Sequence, residues 1–256
     1  MKHKIKLLTL STILAFGLVN VNAMLIFSDD FSGTSGDLDG TMPDVGGVSW
    51  VASPVFENNG DANLGGTVDA GSATLAFTPS NGMLYTAEGS ASLSAGGSGN
   101  FVTFGFANGQ SNVTSTNNRF LNGNFVEGRA WMFARENTNN PFTYLAGQND
   151  GALWSGLSNS PSNVDFKIEL DTTGGSGAWT ATWFAKDSAS STFTEVRSAA
   201  TLTAEDITSV GFAVSCNGVT ANLSNFSLTA VPEPSQYAML FGAGSLLFII
   251  IRRRRS

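Results

Sequence analysis

The chain has 256 residues, with 13 Lys and Arg against 20 Asp and Glu for a formal charge of −7, one Cys and one His. The sole histidine, His3, lies near the N-terminus, so the interior offers no imidazole for a Ser-His-Asp or Cys-His pair or for a His-ligated zinc. The single cysteine, Cys216, excludes an intramolecular disulfide and leaves burial and sheet pairing to stabilise the fold.

The N-terminal segment has the three parts of an export signal. Lys2, Lys4 and Lys6 precede an apolar run from Leu7 to Val19, and Val21 and Ala23 occupy the −3 and −1 positions of a cut before Met24. The alternative is an uncleaved membrane helix, which the run is too short to favour, since a span needs about 20 residues. Residues 1–23 are therefore expected to form a removable signal helix, and residues 24–230 the exported body. That body carries six basic and 19 acidic side chains, a balance of −13, because the other basic residues lie in the two tails. Such a field repels phosphate backbones and argues against a nucleic-acid partner.

Within the body, acids cluster early, at Asp29, Asp30, Asp37 and Asp39. Clustered carboxylates suit Ca²⁺, a hard cation that takes six to eight oxygens, and these four residues are the candidate ligands of a structural calcium. Their spacing does not fit an EF-hand loop, and soluble turn chemistry is the plainer alternative. No convincing helix-period segment follows. Short runs predict strands instead: ATLAF (73–77), FVTFGFA (101–107), RAWMFAR (129–135), SVGFAVS (209–215) and NFSLTA (225–230). The clearest hairpin joins VDFKIELD (164–171), with Val164, Phe166, Ile168 and Leu170 on one face, to AWTATWFA (178–185) through a Gly-rich loop. LTAEDI (202–207) is expected to form one helical turn before a strand, since Asp and Glu are favoured near a helix start. Cys216, at the end of an apolar run, reads as a structural residue.

Trp131, Trp179 and Trp183 fall within predicted strands and are expected in the core. Trp154, in the Gly- and Asn-rich stretch GQNDGALWSGLSNS, is the best candidate for stacking on a sugar, with Asn149 and Asp150 supplying polar contacts. Glu169 and Asp171, two residues apart on the polar face of one strand, are the nearest approach to a hydrolase carboxylate pair. Many strands between Gly-, Asn- and Ser-rich loops predict an all-β fold, a two-sheet antiparallel sandwich, with a barrel or β-solenoid as the alternative.

The C-terminus reads VPEPS, then an apolar run from Tyr237 to Ile251, then Arg252, Arg253, Arg254 and Arg255. An apolar helix stopped by a basic cluster is oriented with the cluster on the cytoplasmic side. A C-terminal transmembrane helix is expected, short for its task and helped by arginines that snorkel. The two prolines keep the linker extended. This order of features resembles the bacterial PEP-CTERM sorting tail. The resemblance covers residues 231–256 and implies recognition of Pro232, Glu233 and Pro234 by an exosortase, a membrane-embedded processing enzyme. It further implies that the apolar helix and the four arginines hold the precursor in the inner membrane.

A second resemblance spans the body. FSDDFSG (27–33), LAFTPSNGMLYTAEGSASL (75–93), VDFKIELD and ANLSNFSLTA (221–230) resemble concanavalin A-like or laminin-G-like jelly rolls. That family includes carbohydrate-binding modules, adhesion domains and some glycoside hydrolases. The two resemblances together imply a non-enzymatic protein of the cell envelope or extracellular matrix with affinity for exopolysaccharide. A polysaccharide-acting hydrolase or lyase is the alternative.

Overall fold

The computed structural model describes residues 22–33, 35–58, 63–64, 68–93, 101–109, 128–135, 142–145, 152–153, 164–187, 189–217 and 221–232. Every strand pairing among them is antiparallel, and the strands fall into two sheets. The larger runs β14 (Thr194–Thr201), β13 (Thr180–Asp187), β12 (Val164–Asp171), β7 (Met83–Leu93), β16 (Ala221–Pro232), β5 (Asn63–Leu64), β4 (Glu57–Asn58) and β2 (Gly36–Asp37). Its ninth strand, β1 (Met24–Asp29), pairs with the C-terminal half of β16. The smaller runs β11 (Ala152–Leu153), β10 (Phe142–Leu145), β9 (Gly128–Arg135), β8 (Phe101–Ala107), β15 (Ser209–Asn217), β6 (Val68–Ala76) and β3 (Val51–Ala52). The two-sheet antiparallel architecture expected from the sequence is the one observed.

The main core lies between the sheets, where alternate side chains of each strand meet. Val164, Phe166, Ile168 and Leu170 of β12 are all buried and interleave with half-exposed polar residues, the alternation expected of a strand with one wet face. The hairpin partner β13 repeats the pattern, with Ala181, Trp183 and Ala185 buried in register with β12. From the other sheet come Phe104 of β8 and Phe212 of β15; Phe104 stacks on Phe166 with ring centroids 5.9 Å apart. Trp131 is buried as expected, but on the opposite face of β9 from Ala130 and Met132. There it forms a second cluster with Phe133, Ala107 and Ala213 outside the sandwich.

Residues 202–207 do not form the expected helical turn. Their backbone and side chains are committed elsewhere: Leu202 N–H donates to Trp179 O, and the Glu205 carboxylate accepts the N–H groups of Gly177 (2.7 Å) and Trp179 (2.8 Å). Asp206 accepts from Arg129 Nε and, at 2.9 Å, from Arg129 Nη2, while Leu202 and Ile207 are buried. Tertiary contacts override a local preference worth only tenths of a kcal/mol per residue. The Arg129 side chain is nearly buried (9% exposed), so Asp206→Ala removes a carboxylate partner from a desolvated cation. We expect a loss of about 1–3 kcal/mol in urea unfolding, toward the low end because Asp206 itself is 55% exposed. The Arg129 hydrogen bonds hold the Asp206 carboxyl below the usual 3.8. The folded pKa is thus below the unfolded one, so the stabilisation is complete above about pH 4 and fades as pH falls through the folded value. The wild-type and variant stability curves should converge at acid pH.

Candidate functional site

The acidic cluster is assembled where β1 ends. Ser28 and Val45 exchange backbone hydrogen bonds at 3.0 Å in both directions, which lays the 41–48 segment beside the end of β1. Asp44 is thereby brought to Asp29 and Asp30, and its Oδ2 accepts the Asp30 N–H at 3.0 Å. One carboxylate oxygen from each of these three residues lies within 4.8 Å of the others. Two oxygens on a common calcium, each about 2.3–2.6 Å from the ion, are at most about 5 Å apart, so the spacing fits that ion.

Each carboxylate is also held in place. Asp29, 6% exposed, accepts from Trp50 Nε1 at 2.7 Å and from the Phe31 N–H at 2.8 Å. Asp30 Oδ1 accepts the Ser32 N–H at 2.8 Å. Burial pushes the Asp29 carboxyl above its ordinary 3.8, and the charges of Asp44 and Asp30 add to the rise; the bonds to Trp50 and Phe31 oppose it. Asp30 is shifted down by its hydrogen bonds to Ser32. Between them and Ser32, Phe31 adopts φ +57°, a left-handed conformation that a bulky residue rarely takes. Its ring is fully buried against Trp50 (5.7 Å) and Phe212 (6.3 Å), so core packing holds the strained turn.

The four acids proposed from sequence separate into two groups. Asp29 and Asp30 join the cluster; Asp37 and Asp39 do not. Asp37 sits exposed on β2 opposite Glu57 of β4, and Asp39 Oδ1 instead accepts the N–H of Ala52, the last residue of β3, at 2.9 Å. The third carboxylate, Asp44, lies in PDVGG, and its only advance signal was the acidity of the whole opening segment.

The cluster forms one end of a groove of about 500 Å³ on the outer face of the larger sheet. Its floor is the sheet itself at Gly89, Phe166 and Phe226, and its far wall is Asp165, Lys186 and Phe193. Lys186 Nζ lies 3.3 Å from Asp165 Oδ2 and 4.9 Å from the centre of the Phe193 ring, so the wall is a tied unit of charge and aromatic surface. Ser28, Glu88, Ser90, Asn225 and Ser227 complete the polar lining. Five of the lining residues are acids and one is basic.

Glu169 and Asp171 are outside this groove, and both are engaged. Glu169 Oε1 is 2.8 Å from Lys167 Nζ, and Asp171 Oδ1 accepts the Thr173 N–H. Trp154, Asn149 and Asp150 lie outside the described residues, as do Glu233, Pro234, Arg252 to Arg255, both predicted tail helices and the side chain of Cys216. Pro232 is described: it is the last residue of β16, in register with Met83. Among the described residues no helix is long and apolar enough to cross a membrane.

Residues 230–255 match the PEP-CTERM protein-sorting motif. No curated protein is significantly similar to the chain in sequence. Solved structures share its fold, two of them as follows. The exoplasmic/lumenal domain of VIP36 in its metal-free form superposes with a TM-score of 0.51 at 9% identity, over 80% of this chain and 92% of that one. Lectin II from Ulex europaeus gives 0.51 at 10% identity, over 78% of this chain and 99% of that one. At such identities the likeness establishes the fold alone. The chain therefore joins a concanavalin A-like body, two antiparallel sheets around one aromatic core, to a C-terminal PEP-CTERM protein-sorting motif.

Proposed function

We propose that the chain is an exported, non-enzymatic glycan-binding protein of the cell envelope or extracellular matrix. Residues 1–23 serve as a removable signal, 24–230 as the binding body, and 231–256 as a tail that anchors the precursor in the inner membrane until an exosortase processes it. The single observation that carries the binding role is the groove. Carboxylates, an amide and hydroxyls converge there beside an aromatic ring, the combination that meets sugar hydroxyls and the apolar face of a pyranose. The two neighbours named as a lectin and as an exoplasmic/lumenal domain are consistent with such a role. The lining charge favours neutral or amino sugars over uronic acids, which a net-negative groove repels.

Asp29, Asp30 and Asp44 would hold a structural Ca²⁺, which would neutralise the cluster and fix the groove's end. Their oxygen spacing and partial burial suit that ion. Because the Asp29 carboxyl is raised, its ionisation destabilises the fold as pH climbs past 3.8, and a bound cation would reverse that penalty.

Isothermal titration of the exported protein against neutral hexose, hexosamine and uronic-acid oligosaccharides tests both parts. Neutral or amino oligosaccharides should bind and uronates should not. Phe193→Ala and Glu88→Gln should each weaken binding about tenfold, about 1.4 kcal/mol. Silence from all three classes, or affinity indifferent to Phe193→Ala, would remove the glycan assignment. Calcium at a hundred times its Kd should add about 2.7 kcal/mol of stability, abolished by Asp44→Ala and untouched by Asp37→Ala. A melting temperature insensitive to calcium would remove the ion.

A further inference from the structure

One end of the larger sheet is apolar and uncharged. By register, Met24 and Leu25 of β1 lie beside Ala230 and Thr229 of β16, while Val231 and Pro232 of β16 lie beside Leu84 and Met83 of β7. Neighbouring strands are about 4.8 Å apart, so Met24, Leu25, Met83, Leu84, Val231 and Pro232 form one patch across three strands. Met24 is 56% and Leu25 44% exposed, and the other four are half-buried. The adjoining turns, 78–82 and 172–178, add no charged side chain. Two acids beside them are turned onto backbone donors: Asp171 accepts the Thr173 N–H, and Glu205 those of Gly177 and Trp179.

The polarity reverses along the same strands. Four residues on from Leu25, about 13 Å at strand rise, β1 ends at Asp29, where Asp30 and Asp44 join it. There β7 and β16 carry Glu88, Ser90 and Asn225 into the groove. One sheet thus has a neutral apolar end and an acidic end. Scattered exposed apolar side chains are ordinary, but a contiguous patch marks a surface that is covered in use. The apolar end approaches anionic headgroups without the repulsion that the acidic end would meet.

On the reading that the tail anchors the precursor, we infer that this end of the body itself docks on the bilayer, with Met24, Leu25, Leu84 and Val231 seated among the lipid headgroups. Chain length favours lipid over a second copy as the occupant. The apolar run of the tail starts at Tyr237, five residue steps past Pro232, and five extended steps reach at most about 18 Å. The headgroup layer outside the hydrocarbon is itself about 5–8 Å deep, so the sheet end is held on a short tether to it. Lipid is then the apolar phase nearest the patch throughout the anchored stage. At the effective concentration a short tether gives, weak apolar contact is enough to hold it there. Docking in this orientation turns the groove, with Asp29, Asp30 and Asp44, away from the bilayer and toward the solvent where a glycan would be met.

The test is photolabelling of the exported chain with its tail intact, purified from a cell that lacks the exosortase. It is reconstituted in vesicles of phosphatidylethanolamine and phosphatidylglycerol that carry a diazirine phospholipid. Mass spectrometry should map lipid adducts to residues 24–25 and 83–84 as well as to the tail. Adducts should be several-fold fewer on 41–48, where Met42 and Val45 are comparably exposed (54% and 40%) but share their segment with Asp44. Leu25→Ser should lower the yield at 83–84 several-fold with an unchanged melting temperature. Adducts confined to the tail overturn the docking inference and leave the anchor assignment in place. A dimer cross-linked through residues 24–25, in place of lipid adducts, gives the patch to a second copy and overturns the inference equally. A chain that takes no adduct anywhere and separates from the vesicles overturns the anchor reading and this inference with it.

Discussion

Gly105→Ala should lower stability by about 3–5 kcal/mol, enough to cancel most or all of it if the total is near the low end of the usual 5–15 kcal/mol. Gly105 sits in β8 at φ +149°, directly across from Gly211 of β15. A Cβ on Gly105 would lie 2.3 Å from Ala130 O and 2.6 Å from Trp131 Cα, both backbone atoms of the neighbouring strand β9. Neither can swing aside as a side-chain tip would. Two costs therefore combine: about 1–3 kcal/mol for a non-glycine residue in that backbone region and about 1–3 kcal/mol for overpacking between paired strands. Gly47→Ala is the control, because nothing lies within 4 Å of its added methyl, and it should move stability by less than about 0.5 kcal/mol. Guanidinium unfolding of the two variants decides the matter. A Gly105→Ala protein within 1 kcal/mol of the parent would mean that β8 and β9 do not approach as closely as described.

The same strand shows what could be seen from sequence and what could not. FVTFGFA was legible as a strand because apolar and aromatic residues fill it, and VDFKIELD because alternation marks one wet face. The strand limits from sequence are close to those observed, as at 101–107 and 164–171. β14 was invisible: TEVRSAAT lies at the sheet edge with mostly exposed or half-exposed residues, so burial imposes no period on it. Strand β7, central and paired on both sides, was legible only through family resemblance, because Ala87, Gly89 and Ala91 replace the large apolar side chains that make alternation stand out. Its smallness has a cause in the third dimension. A Cβ on Gly89 would come within 2.8 Å of Phe212 and 2.9 Å of Phe104, so the strand is thin where the opposite sheet is thick.

The candidate site was half legible for a related reason. Asp29 and Asp30 announced themselves as adjacent acids, but Asp44 joins them only through the Ser28–Val45 bridge, and nothing local in sequence distinguishes it from Asp37 or Asp39. Glu88, Asp165 and Phe193 come from β7, β12 and the segment before β14. They share a surface only after the sheet has formed, so no spacing rule could have grouped them. LTAEDI misled for the complementary reason, since its local preference was genuine and its long-range partners were stronger.

Phe104→Ala should cost about 3–5 kcal/mol, the range for removing a buried aromatic side chain. Phe104 is fully buried and touches both sheets: it stacks on Phe166 (5.9 Å, 14° between planes) and packs against Phe212 (5.2 Å) and Phe226 (6.4 Å). Its ring edge occupies the space that a side chain at position 89 would otherwise fill. Phe166, Gly89 and Phe226 are also the floor of the groove, seen from the other side of the sheet. Truncating Phe104 therefore opens a cavity directly beneath the proposed binding surface. Phe104→Leu keeps most of the volume and should recover more than half of the loss in guanidinium unfolding. If binding to the oligosaccharide class selected by titration falls for Phe104→Ala under conditions where it is still folded, and returns for Phe104→Leu, then the core behind β7 and β12 holds the groove in shape. If Phe104→Ala is destabilised but binds normally, the groove is shaped by its rim, at Asp44 and Phe193, and owes nothing to the aromatic packing below.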